Sequence, residues 1–472
     1  MALTTMERLR SETVGIDVQA PLLSGGTRAF VNLDNASSTP TLRPIVEKVD
    51  EFIEYYTNVG RSTGFKSEVA TWAYEESRSA IARFLGADPV ADTVIVTRNT
   101  TESMNRLATL FPFKPDSVVL TTLMEHHSND LPWRRRARVV YAGINLEGSL
   151  DMDDFAAKLR EYRGKVALVT VTGASNVSGW VNPIHQLARL AHEAGALIAI
   201  DAAQIAPHRP IDMKKPEDPE RLDFVAFSGH KTYAPYGAGI LAGRKDMLHP
   251  AEPSLVGGGV VDLVTLDSIV WRGLPGREEA GTPDVVGAVA LAAAAKLLEK
   301  VGWDNITRHE DELTAYALER LGRIPGVRVF GEAKSDGPGD RIGVIAFEVK
   351  GKSNQLVGAA LACEAAVGVR CGLFCAHPHV FALLGLGREA QKHACGDASC
   401  GRIADLPGVL RASFGLYNDR SDVDALCDTL EAISRGEHAE YDSDPKTGEC
   451  WPKGRPRLNP ADYFSLMPRL PA

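Results

Sequence analysis

Lys231 stands directly behind Ser228, Gly229 and His230 and ahead of a loop rich in Gly, Pro and Tyr, in the stretch "FSGHKTYAPYGAG" (227–239). A lysine between a buried strand and a tight turn admits two readings: it points into water, or it is held inward as an amine for covalent chemistry. Other polar residues raise the same choice: Thr100 and Thr101 in "RNTTES", His126 and His127 in "MEHHSND", Asn176 in "GASNV", Asp201 and Gln204 in "IDAAQ". Taken singly, Asp201 and Thr101 read as helix caps and the histidines as loop residues. Further along, Cys375 in "RCGLFCA" offers a thiol and Arg411 in "LRAS" a planar cation.

The elements that must position these residues are short apolar runs between 90 and 245: "TVIVT", "SVVLTT", "VALVTVTG", "ALIAIDAAQ", "DFVAFSG" and "AGILAG". Runs apolar on both faces belong to a largely parallel sheet covered by helices. Polar residues recur at their C-terminal ends, from Asn99 to Glu102, Glu125 to His127, Ser175 and Asn176, Asp201 and Gln204, then Ser228, His230 and Lys231. In open α/β sheets a ligand sits at the carboxyl ends of the strands. Five strand ends thus converge on one crevice, a coincidence that capping does not produce.

"AVALAAAAKLLEKVG" (288–302) reads as a long apolar helix leading out of this domain. Beyond it, "VRVFG", "IGVIAFEVK", "VGVRCG" and "VLRASFGLY" alternate with helices and indicate a smaller α+β domain. It closes with a helix near 422–433 whose start "SDVD" resembles a capping box. The expected division is an N-terminal segment (1–40) joining the small domain, a large domain over 41–290, a small domain over 291–435 and an irregular tail over 436–472.

The chain has 472 residues, 44% of them hydrophobic, more than one core usually serves. A net charge of −9 argues against nucleic acid as a partner, and the basic run "WRRRARVV" (133–140) reads as an exposed face beside a strand. No apolar stretch reaches membrane-helix length, and the first residues lack a signal peptide's apolar centre, so a soluble, cytoplasmic protein is expected. Seven cysteines, all after residue 360, suggest reduced thiols rather than a disulfide framework.

A lysine that forms a Schiff base needs an aldehyde, and the commonest protein-bound aldehyde is pyridoxal 5′-phosphate (PLP). Such a site needs the lysine, an acid against the pyridine nitrogen, a phosphate cradle and a flat group over the ring. Lys231 and Asp201 supply the first two, because a carboxylate beside a protonated ring nitrogen favours the charged form. Thr100 and Thr101 at a helix start, with Ser228 and His230, would cradle the phosphate. His126 would stack on the ring.

The chain resembles the class V aminotransferase family with a type I PLP fold, and within it the cysteine desulfurases and selenocysteine lyases. The resemblance rests on "VNLDNASSTP" (31–40), "NTTESMNRLA" (99–108), "MEHHSNDLPWR" (124–134), "GASNVSGWVNPI" (173–184), "IDAAQIAPHRPID" (200–212), "AFSGHKTYAPYGAGILAGR" (226–244), "EEAGTPDVVG" (278–287), "VRCGLFCAHP" (369–378) and "LRASFGLYN" (410–418). It implies Lys231 as the cofactor lysine, Asp201 as the pyridine partner, Gln204 as the ligand to the ring hydroxyl and His126 as the stacking residue. It also implies Cys375 as the sulfur-accepting thiolate, favoured by Arg370 or the protonated lysine, and Asn176, Arg370 and Arg411 for the substrate. Thr282 would reach the neighbouring phosphate in a homodimer, and a sulfur-acceptor protein is an implied partner.

Three features depart from the desulfurase pattern. Gly60 stands in "NVGRS" (58–62) where the resemblance has a histidine, Leu373 and Phe374 replace polar residues, and an insertion occupies 387–408. The insertion carries His393, Cys395 and Cys400, read as incidental members of a Gly/Ser loop and not as a metal site. The expected activity is PLP-dependent removal of sulfur from L-cysteine, or a related thiol or selenol amino acid, giving alanine and a Cys375 persulfide. The alternative is another class V enzyme, an aminotransferase, epimerase or C–S β-lyase, that does not use Cys375.

Overall fold

A computed structural model describes residues 5–60, 63–248, 252–331, 341–404 and 406–467. A seven-stranded sheet runs in the spatial order Asp92–Thr97, Gly239–Arg244, Phe224–Ser228, Leu197–Asp201, Val166–Thr172, Val118–Thr122, Arg138–Ala142. Gly239–Arg244 is antiparallel to both of its neighbours, and the other pairings are parallel. The alternation of side chains explains the apolar runs. Val94, Val96, Leu120, Val169, Ile200 and Phe227 face one core, while Ile95, Val119, Leu168, Ala199, Phe224 and Leu241 face a second core on the other side.

Helices Phe65–Phe84 and Val285–Val301 pack together against the first face, and Thr100–Leu110 covers the second. The apolar helix expected from 288 begins at Val285 because Asp284 caps it, accepting from the Gly287 N–H at 2.8 Å. Its buried alanines let the neighbouring helix approach closely.

The second unit is an antiparallel sheet in the order Val327–Phe330, Val344–Val349, Val409–Ser413, Arg370–Gly372. Its core draws on helices Trp303–Gly322, Asn354–Ala365 and Arg420–Ser434. The N-terminal segment is knitted to this unit: Val31 and Asn32 pair in parallel with Val367 and Gly368, and Asn35 Nδ2 donates to the Ser413 carbonyl at 2.9 Å. The closing helix carries its capping box on Asp419 and Asp422, two residues ahead of the "SDVD" reading, because the Asp419 carboxylate accepts from two backbone N–H groups.

Two expectations are corrected. Residues 388–399, read as part of a Gly/Ser loop, form a helix that buries Ala394 and leaves Cys395 and Cys400 exposed. Good helix formers from Arg388 to Ala394 outweigh the local cost of Gly396. The tail read as irregular contains a hairpin of Tyr441–Ser443 with Cys450–Pro452, whose turn is held by Asp444 accepting from the Lys446 and Thr447 N–H groups. Tyr441 Oη donates to Glu364 at 2.8 Å, and the Ile403 and Ala404 N–H groups donate to the Lys446 carbonyl, so the tail and the insertion brace each other. Among the described residues no helix is long and apolar enough to cross a membrane, and no group of three or more His, Cys, Asp or Glu is placed to hold a metal.

Candidate active site

The strand Asp92–Thr97 delivers the chain to Asn99, whose side chain caps the next helix by accepting from the Glu102 N–H at 2.9 Å. The Thr100 N–H donates to Ser228 Oγ at 2.8 Å, the two hydroxyls meet at 2.6 Å, and Thr101 Oγ1 lies 2.6 Å from Ser128 Oγ. Gly239 makes this closeness possible, since a Cβ there would fall 2.4 Å from Asn99 Cα. Clustered hydroxyls at a helix N-terminus suit a phosphate.

Lys231 ends a short turn, Gly229–Lys231, directly after the strand Phe224–Ser228. Burial pulls its ammonium down to about 8, with Asp201 opposing. Asp201 ends the strand Leu197–Asp201, is 3% exposed and accepts from the Ala203 N–H at 3.0 Å. Burial raises its pKa, while that hydrogen bond and then the Lys231 charge pull the other way. His126 accepts from the Ser128 N–H at Nδ1, 3.1 Å away, which places the proton of the neutral ring on Nε2. Burial, then the charges of Lys231, His127 and Arg411, push it down to about 3, so the ring stays neutral. His230 is pushed down to about 4 by burial and Lys231. Gln204 Nε2 donates to the Ala36 carbonyl at 2.6 Å.

The other wall comes from the small unit. Arg411 is 2% exposed, and burial lowers its pKa against the opposing charge of Asp34. Its Nη1 donates to the Asn176 carbonyl at 2.9 Å and its Nη2 to Asp34 Oδ1 at 2.7 Å. Asn176 Nδ2 donates to the Phe374 carbonyl at 2.8 Å, and the Phe374 ring lies against the guanidinium, 4.8 Å from Cζ to centroid. Phe374 and Cys375 both occupy the left-handed region, at φ of 50° and 53°, a strained pair for residues with side chains. The Asn176 bond and the His127 N–H, which donates to the Cys375 carbonyl at 2.7 Å, hold that geometry and present an exposed Cys375.

One cavity of about 240 Å³ is lined by Thr100, Thr101, His126, Asn176, Asp201, Gln204, Ser228, His230 and Lys231 from the large unit and by Arg370, Cys375 and Arg411 from the small one. Thr282 lies outside it, exposed in the loop before Val285. Gly60 is also outside, at a φ of 81° that suits glycine. Asp34, Ser37, Ser128 and Phe374 are neighbours that the sequence reading gave no role. Asp34 and Ser37 fall inside the quoted "VNLDNASSTP", but nothing in the sequence joins them to a residue some 370 positions away. Glu125, buried and next to His126 in sequence, accepts from Thr122 Oγ1 and Asn129 Nδ2, and burial pushes its pKa up to about 8 against those hydrogen bonds.

Behind the strand Arg370–Gly372 a larger cavity of about 1010 Å³ holds Cys371 and Cys450 and none of the predicted site residues. Burial pushes the Cys371 thiol up to about 12, and its Sγ donates to the Asn354 carbonyl. Cys371 is thereby a structural thiol, lining a different cavity from Cys375 because the chain leaves the strand at Gly372 and turns through the left-handed Phe374 and Cys375.

The donor set fits PLP: an amine that loses its proton near pH 8, a buried carboxylate, a neutral imidazole and a hydroxyl-lined helix start lie around one crevice. Residues 31–426 match the aminotransferase class-V family. A probable cysteine desulfurase of Streptomyces coelicolor is 36% identical over 417 residues, 86% of this chain and 92% of that one. A cysteine desulfurase of Haloferax volcanii is 35% identical over 433 residues, 89% and 93% of the two chains. Among solved structures, an apo cysteine desulfurase of Thermococcus onnurineus superposes with a TM-score of 0.78 at 31% identity, covering 92% of this chain and 99% of that one. A cysteine desulfurase of Escherichia coli in its S-sulfonic acid form gives 0.75 at 28% identity, covering 93% and 100%. This chain, with its type I fold and its lysine at the carboxyl ends of a mainly parallel sheet, belongs to the class-V aminotransferase family of PLP-dependent enzymes.

Proposed function

We propose that this enzyme is a cysteine desulfurase, taking sulfur from L-cysteine or a related thiol or selenol amino acid and leaving it on Cys375. The observation that carries the reading is the exposed Cys375 on the wall of the cavity that also contains Lys231 and Arg411. PLP, when bound, supplies the carbonyl for the substrate amine and an electron sink that labilises the carbon–sulfur bond. Asp201 would serve the ring nitrogen, Gln204 the ring hydroxyl, and Thr100, Thr101, Ser228 and His230 the phosphate, with the neutral His126 ring available to stack on the cofactor. Arg411 takes the substrate carboxylate by its planar fork, with Asn176 and Arg370 beside it. Lys231 Nζ, losing its proton near pH 8, is suited to moving protons at the substrate carbons.

At Cys375 the balance is simple. The substrate carbon–sulfur bond breaks, the sulfur joins Sγ as a persulfide, a proton replaces sulfur on the substrate carbon, and alanine leaves. A thiolate is the required nucleophile. The persulfide then passes to a thiol on an acceptor protein. Free cysteines throughout fit a reducing compartment, the cytoplasm. The active unit is a homodimer in which Thr282 serves the partner subunit's phosphate site, which accounts for its exposed place outside its own cavity.

The test is incubation with L-cysteine, following alanine, pyruvate and sulfide. Wild type without reductant should yield alanine and one extra sulfur on the peptide containing Cys375. Cys375→Ser should still bind cysteine but release no alanine above background, a loss of at least about a hundredfold, because a hydroxyl is not ionised near pH 7. Wild-type turnover by Cys375→Ser, or pyruvate as the main product, would hand the assignment to an aminotransferase, epimerase or β-eliminating reaction.

A further inference from the structure

The guanidinium that would bind a substrate carboxylate is already engaged by a carboxylate of this chain. Arg411 Nη2 donates to Asp34 Oδ1 and to Ser37 Oγ, both at 2.7 Å, while Nε is buried without a hydrogen-bond partner. Asp34 is fixed in place: its N–H donates to Asn32 Oδ1 at 3.1 Å, its backbone bridges to Ser413, and Ser37 Oγ donates to its Oδ1 at 2.7 Å. Its second oxygen lies 3.8 Å from Arg370 Nη1. The Asp34 side chain is 22% exposed against 2% for Arg411, and Arg411 itself lines the cavity, so the shared charge lies at the cavity wall. Two guanidinium groups therefore share one anion and leave the cluster one positive charge in excess.

We propose that Asp34 is a resident counter-ion that sets substrate affinity: an amino-acid carboxylate takes the Arg411 fork in competition with Asp34, whose free oxygen turns to Arg370. This rests on the assignment of Arg411 to the substrate carboxylate made above. An arriving carboxylate brings the cluster of Arg370, Arg411 and Asp34 to neutrality and gives the unpaired Nε an acceptor. An amine without a carboxylate offers neither and leaves Asp34 on Arg411. The competition thus weakens binding of every amino acid, and it makes the carboxylate the group that opens the fork. Asp34 acts through Arg411 and is a positioning residue.

The experiment measures equilibrium binding of L-alanine and of L-alaninamide to the PLP-loaded enzyme by calorimetry, for wild type, Asp34→Asn, Asp34→Ser and Arg411→Gln. Both Asp34 variants should bind L-alanine about tenfold more tightly, the scale of one hydrogen bond to a charged group, and bind alaninamide as wild type does. With cysteine as substrate, KM should fall and kcat should hold. A merely structural Asp34 would give the opposite sign, so equal or weaker binding of alanine by both variants overturns the proposal. If Arg411→Gln binds alanine as well as wild type, the carboxylate assignment itself fails and the proposal with it, an outcome distinct from an unaltered Asp34→Asn.

Discussion

At the scale of single residues the decisive feature is a lysine amine set beside a buried acid. Lys231 has its pKa pulled from an ordinary value near about 10.4 down to about 8, because burial penalises the ammonium more than Asp201 rewards it. The neutral amine, the form that attacks a carbonyl, is therefore present at lower pH than for a surface lysine. We expect the rate of PLP uptake by the cofactor-free protein, followed by absorbance, to rise about tenfold per pH unit up to pH 8 and level off above it. A plateau deferred to pH 10 would show an ordinary lysine. The residue types were legible in the sequence: Lys231, Asp201 and His126 each stood at a strand end. Their electrostatic state was not, since it depends first on burial in the assembled crevice and, for Lys231 and His126, also on the charge of Arg411 from the other unit.

At the scale of elements, the loop bearing Thr282 is tied down by Glu279. Its carboxylate accepts from Arg78 Nη1 at 2.7 Å, Arg78 Nη2 at 3.1 Å, Tyr74 Oη at 2.8 Å and the Val96 N–H at 2.8 Å, so it joins a helix to the edge of the sheet. Both side chains of the Arg78–Glu279 pair are largely buried, at 11% and 8% exposure. Glu279→Ala leaves the buried Arg78 guanidinium only the exposed Glu75 carboxylate and the Val94 carbonyl, strips Tyr74 Oη and the Val96 N–H of their acceptor, and should cost about 3 kcal/mol in urea unfolding. Glu279→Gln, which keeps the shape and an acceptor, should lose less. A change under about 1 kcal/mol for the alanine variant would mean the tether is not made in solution. The sheet strands were readable because burial on both faces leaves unbroken apolar runs. The helix at 388–399 and the tail hairpin were not, because each is short and carries little periodic pattern of its own, and the hairpin turn is held by bonds from Ile403 and Ala404, about 40 residues away.

At the scale of the whole molecule, the cavity is closed by two units and, on our reading, completed by a second copy. Lys231→Ala and Thr282→Ala subunits should each be inactive or severely impaired alone. Mixed and reassociated, they should recover about a quarter to a half of wild-type turnover per heterodimer, because one of its two sites then carries an intact Lys231 and an intact partner Thr282. Light scattering and turnover on the mixture check this together, and a fully active monomer would remove the basis for it.

What the sequence determined by itself was the sheet, its polarity and the chemical types gathered at its carboxyl ends. These follow from local patterns, apolar runs and the residues that end them, and local patterns are written in order along the chain. The tertiary structure decided how the second wall meets the first. Arg411 lies 235 residues from Asn176 in sequence, yet its Nη1 is 2.9 Å from the Asn176 carbonyl, and the strained Phe374–Cys375 turn is fixed by bonds from Asn176 and His127. Such contacts arise only when two independently patterned units pack, because charge pairing and burial are properties of the assembled crevice and leave no periodicity in the sequence that produces them.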